Sequence, residues 1–130
     1  MSSIPQWDEM SPGRKVAEAT IAPVAWGVLC GLALGVAAPL YLVGAAVAAA
    51  GGVVGGMQHG TMKGALLRGL VGGTLFGLCT LLGFGLGAEG HPTVHIPDPA
   101  ILLLVFTIVP SFPLHWLGWK LRRGRVSTAE

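Results

Sequence analysis

The residues of this chain that could do chemistry are few and fall into four groups. Glu89, His91, His95 and Asp98 lie within ten residues of one another and are ligand types for zinc or copper. Their spacing matches no known site, and Pro92 and Pro97 hold the segment extended, so His91 and His95 need not share a helical face. A solvated polar loop carrying a helix cap is the weightier reading, and no metal is assigned.

His59, Lys63 and Arg68 form the second group, placed to meet a phosphate, a lipid headgroup or a partner's acidic residue. Residues of these types more often anchor helix ends at a membrane surface. His115 is the third, an ionisable side chain close to the interior of an apolar stretch; next to Trp116, it is expected at the membrane interface. Cys30 and Cys79 make the fourth, and in apolar runs without a spacing motif they read as small hydrophobes. No serine or cysteine has a base beside it, and no phosphate-binding glycine loop follows a strand. The chain is therefore expected to be no enzyme and to hold no cofactor.

The elements that must position these residues are set by hydrophobicity. Of 130 residues 52% are hydrophobic and only 11% charged, against about a quarter charged in soluble proteins. Residues 21–57, 69–88 and 100–119 contain no Asp, Glu, Lys or Arg. About twenty residues at 1.5 Å each cross roughly 30 Å of hydrocarbon, and these runs are apolar all round. The expected fold is all-α, an integral membrane helical bundle.

A single helix over residues 16–57 would be about 63 Å long, twice the hydrocarbon thickness, so the chain must break inside it. Pro39 removes a backbone donor there, and the neighbouring Tyr41 suits the interface. Four spans follow, at about 19–38, 40–59, 62–88 and 99–121, within a transmembrane domain over 19–121. The alternative makes residues 21–57 a span with a re-entrant bend, leaving three. Four spans put Arg14, Lys15, Lys63, Arg68 and the basic tail all in the cytoplasm, whereas three strand Arg14 and Lys15 outside.

Residues 1–18 are then a cytoplasmic segment with a short interfacial helix opened by Ser11 and Pro12, and residues 122–130 are a basic cytoplasmic tail. Gly60 and Thr61 read as a helix stop and a new cap, Asp98 and Pro99 as a cap for the last span, and Pro110 and Pro113 as the site of a kink. Trp116, Trp119, Lys120, Arg122, Arg123 and Arg125 are expected at the lipid headgroups. The polar N-terminal residues carry no secretory leader, which suits a multi-pass protein of a bacterial inner membrane with both termini cytoplasmic.

Twenty-one glycines are too many for turns. Gly44, Ala48, Gly52 and Gly56 fall four apart, as do Ala65, Gly69, Gly73 and Gly77, giving two smooth stripes that let backbones approach in lipid. A turn at Gly60 and Thr61 would make a central antiparallel glycine-zipper hairpin, with Gly56 facing Ala65, Gly52 facing Gly69, Ala48 facing Gly73 and Gly44 facing Gly77. A shifted register and a use between subunits remain open.

The function these features favour is a non-enzymatic scaffold or accessory subunit, partnered by the bilayer and by a homo-oligomer or larger membrane complex. The rival is a self-assembling pore, channel or holin-like protein, for which the scattered Thr and Ser make a weak wetted stripe. An exporter subunit for small molecules is third, because it needs a polar or aromatic pocket for which the sequence offers only Trp26. A net charge of +2, concentrated in the tail, argues against nucleic acid.

Overall fold

A computed structural model describes residues 4–87, 96 and 98–127. After a 3₁₀ turn at Trp7–Glu9 come four helices: α1 over Pro12–Val36, α2 over Ala38–Met57, α3 over Met62–Gly87 and α4 over Leu102–Ser127. Each has a stretch long and apolar enough to cross a membrane. Leu42, Val43, Leu86 and Phe106 all project outward with more than half their surface open, a contact suited to lipid chains and not to water. The chain is an all-α, multi-pass membrane protein.

The helix ends follow the local chemistry. Ser11 Oγ accepts from the Arg14 amide at 3.4 Å, and Thr61 Oγ1 from the Gly64 amide at 3.1 Å, each answering a donor left over at a helix start. Ala37 is extended (φ −160°, ψ 127°), and Pro39 occupies the first turn of α2, where its missing N–H costs nothing. Residues 21–57 therefore form parts of two helices and not a re-entrant bend. The last helix runs without interruption through Pro110 and Pro113 and into the basic cluster.

The N-terminal helix differs from expectation. No break separates an interfacial helix from the first span; instead a π turn at Ala17–Ile21 joins them, in which the Ala22 amide bonds to the Ala17 carbonyl. In α geometry that amide would serve the Glu18 carbonyl, and in π geometry the Glu18 carbonyl would need the amide of Pro23, which proline lacks. Glu18 is thus drawn into the first helix with its own carbonyl left over.

Around the bundle the helices stand at the corners of a square in the order α1, α3, α4, α2, each packed on the next and α2 closing on α1. The helices α2 and α3, though joined by a short turn, are diagonal to one another. This corrects the expected zipper hairpin, whose rungs do not form. A Cβ placed on Gly52 would meet Leu114 and His115, one on Gly69 would meet His115 and Ser111, one on Gly73 would meet Ser111 and Ile108, and one on Gly77 would meet Thr107 and Leu104. Gly56 lies against the His115 main chain and Gly44 against Cys30 Sγ. Two smooth stripes set face to face would have little to interdigitate. The side chains of α4 fill both grooves instead, which gains more dispersion contact.

The most extensive pairing of helices is between α1 and α3. A Cβ on Gly27 would lie 2.6 Å from the Phe76 carbonyl oxygen, Gly31 packs on the main chain of Thr80 to Phe84, and Gly83 packs on Val28.

Candidate ligand cavity

The diagonal placement of α2 and α3 leaves a half-open cavity of about 600 Å³ to which all four helices contribute. That lies within the range of about 300–1,000 Å³ for small-molecule sites. The space exists because small residues face it: Cβ atoms on Gly51 and Gly72, both lining residues, would meet nothing within 4 Å. Trp26, Tyr41, Phe76 and Phe106 supply most of its aromatic wall. The Trp26 indole N–H is fixed by the Gly44 carbonyl at 2.9 Å, which holds the ring between α1 and α2.

The polar groups of the lining include Glu18, Arg68, Ser111 and His115. His115, expected at the interface, is 7% exposed, set within the bundle between Gly52, Gly55 and Gly56 of α2 and Gly69 of α3. Glycines on both sides leave a slot for the imidazole ring. His115 Nδ1 lies 2.9 Å from the Ser111 carbonyl. A carbonyl only accepts, so Nδ1 carries the proton and Nε2 is the acceptor, on the side facing Gly55. Ser111 Oγ is 2.9 Å from the Gly69 carbonyl of α3 and 2.6 Å from the Ile108 carbonyl of its own helix, so it ties two helices besides returning a bond to its own preceding turn.

Arg68 lies in the second turn of α3 and donates through Nη2 to the Glu18 carbonyl, the one the π turn and Pro23 leave over. The Glu18 carboxylate is occupied elsewhere: Oε1 accepts from Arg14 Nε and Oε2 from Gln58 Nε2, both at 2.8 Å. Among the described residues no carboxylate lies within ion-pair distance of Arg68, and its Nε is buried without a partner. Glu18, read as the end of a cytoplasmic segment, lies within α1, which starts seven residues before 19, and Arg68 faces the cavity.

A lid of aromatic and basic groups covers this end. The Trp7 amide donates to the Gln58 carbonyl at 2.9 Å, its ring centroid is 4.9 Å from that of His59, and the Arg68 guanidinium carbon lies 5.4 Å from it. His59 is 7% exposed with Nε2 unpartnered, and burial first, then the Arg68 charge, hold its pKa below the ordinary histidine value. Of the earlier group His59, Lys63 and Arg68, the first and last come together beneath Trp7, while Lys63 is exposed.

The expected headgroup residues lie at this same end. Lys120 sits over the Trp116 ring at 4.9 Å and Arg123 over Trp119 at 5.0 Å, and the Trp119 indole N–H reaches the Gly60 carbonyl at 3.4 Å. Arg122 Nη1 is buried near Gly60, while Arg125 is exposed. Ala48 lines the cavity, and Ala65 is fully buried. Glu89, His91 and His95 lie outside the described residues; among those described, no cluster of three His, Cys, Asp or Glu side chains could hold a metal.

Sequence reasoning missed Glu18, the Gly27 and Gly31 contact and the cavity. The four-residue spacing of Gly27, Gly31 and Gly35 is a legible signal for the second of these. The cavity has none, because it follows from the order of helices around the square. Comparison of the chain with protein-family models, with curated proteins and with solved structures finds no match.

Proposed function

We propose that this chain is a non-enzymatic membrane protein that binds a small amphipathic molecule between its four helices and serves as a carrier or exporter subunit. The supporting observation is the half-open cavity with an aromatic wall and polar groups at Arg68, Ser111 and His115. A ligand of this kind could slide in from the bilayer with its apolar body against Trp26, Phe76 and Phe106. The lining lacks the continuous wetted stripe a pore requires, which favours binding over conduction. By the bias of Lys and Arg toward the cytoplasm, the end with Arg14, Lys63 and the basic tail faces inward, in a bacterial inner membrane.

The accessory-subunit reading keeps one observation of its own: Gly85 is exposed beside Leu82 and Leu86, with nothing near its Cβ position. Another helix could pack there.

Native mass spectrometry of the full chain, extracted in a mild detergent and offered long-chain alcohols, tests the proposal. Bound adducts should appear and should be lost in Gly72→Leu, which puts a branched side chain where a Cβ meets open space in the cavity, while the melting temperature holds. Adducts that persist in Gly72→Leu would reject the cavity as the site. A second protein present in fixed ratio would favour the accessory subunit.

A further inference from the structure

We infer that the molecule taken by this cavity is an amphipathic anion, an apolar chain ending in a carboxylate or phosphate monoester, with its oxyanion on Arg68. The inference rests on the binding function proposed above and adds the chemistry of the ligand.

The charge at the polar end does not balance locally. Glu18 is the acidic lining residue, and both its carboxylate oxygens are engaged, one by Arg14 and one by Gln58. Arg14 is exposed and forms the ion pair with Glu18, so the guanidinium of Arg68 keeps its positive charge beside a carboxylate already answered. The hydrogen bond Arg68 makes to α1 goes to a main-chain carbonyl, and the Glu18 charge, shared with Arg14, acts on it only from beyond ion-pair distance. Its Nε–H finds no acceptor. A guanidinium presents donors in a planar fork suited to two oxygens of one oxyanion, and with one Nη group committed it retains donors for such a ligand.

The surroundings select the rest of the molecule. Beyond the polar groups the wall is Ala, Gly, Pro, Val, Leu and aromatic carbon, which rewards a hydrocarbon chain. Ser111 Oγ, whose proton is turned to the Gly69 and Ile108 carbonyls, and His115 Nε2 are acceptors and suit the hydroxyl of a singly protonated phosphate monoester, a donor that a carboxylate lacks. A cationic amphiphile would place its charge against Arg68. A neutral one would leave that charge unanswered.

The test uses the full chain in zwitterionic nanodiscs, with oleate, oleyl phosphate, oleyl alcohol and inorganic phosphate as probes and bound fraction read by native mass spectrometry. Either anionic amphiphile should bind about tenfold or more tightly than the alcohol, the scale of one charge-assisted contact. Oleyl phosphate ahead of oleate would assign a phosphorylated lipid and the reverse a fatty acid; both support the proposal. Arg68→Gln should bring the anions down to the alcohol without weakening the alcohol, which reports an intact bundle, and Arg68→Lys should fall between. If Arg68→Gln does not fold, the comparison of anion with alcohol on the unaltered chain decides. Equal binding of alcohol and anions would overturn the anionic assignment while leaving the cavity standing. Inorganic phosphate binding as tightly as oleyl phosphate would overturn the amphipathic part. Binding insensitive to Gly72→Leu would defeat the underlying site.

Discussion

The main chain of His115 lies so directly against Gly56 that a Cβ there would overlap the His115 carbonyl oxygen. Backbone cannot swing aside as a side chain can, so α2 and α4 would have to part. Gly56→Ala is expected to destabilise by about 1–3 kcal/mol, the usual scale of overpacking. Gly72→Ala enters open space and replaces a poor helix former, so it should be neutral or stabilising by up to about 1 kcal/mol. Thermal unfolding of the two variants in one detergent checks the contrast, and equal melting temperatures would contradict the packing.

Ser111 joins α4 to α3 through the Gly69 carbonyl at 2.9 Å. Hydrogen bonds between membrane helices average only about 0.6 kcal/mol, because polar groups find other partners when helices separate in lipid. Ser111→Ala should cost about that much, less than Gly56→Ala. Unfolding in a series of denaturing-detergent mixtures measures it, and a larger loss than for Gly56→Ala would place the weight of this corner on hydrogen bonding.

These two sites show what sequence could and could not give. Helix number, the break at Pro39 and the caps at Ser11 and Thr61 were legible, because each depends on local chemistry and the thickness of hydrocarbon. The stripe of Gly52 and Gly56 and that of Gly69, Gly73 and Gly77 were legible as packing surfaces. Their partner was not: spacing shows that a face is smooth without showing which of three other helices fills it. The burial of His115 was not legible for the same reason, since it is created by glycines on two other helices. The Glu18 carbonyl was beyond reach because it depends on a one-residue change of helix register before Pro23.

Trp7 fastens the N-terminal segment over the polar end through its amide bond to Gln58, its ring against His59 and its contact with Arg68. Aromatic pairs contribute about 0.5–1.5 kcal/mol and exposed cation–π contacts about 0.5–1 kcal/mol. Trp7→Ala should therefore release the segment while leaving the bundle folded. Hydrogen exchange should quicken by about tenfold in the turn at residues 58–61 and remain unchanged in the middle of α3. Unaltered exchange at the turn would show that the lid does not depend on Trp7.

His59 makes stability depend on pH. Burial and the Arg68 charge hold the folded imidazole neutral below its ordinary pKa, with His115 and Arg122 acting in the same direction and Asp8 opposing them. In the unfolded chain the ring returns to about 6.5, so the unfolded state takes up a proton first as pH falls. The folded state then loses stability from about pH 6.5 downward, and the loss is complete once pH lies below the folded pKa; above about pH 7.5 this residue contributes no slope. Melting temperatures between about pH 8 and 5 should fall in the unaltered chain and fall less in His59→Gln, which keeps a neutral polar side chain beneath Trp7. The same curve in His115→Gln separates the share of the second buried imidazole. If His59→Gln followed the unaltered chain throughout, the acid sensitivity would belong to other groups and the neutral, buried state of His59 would be refuted.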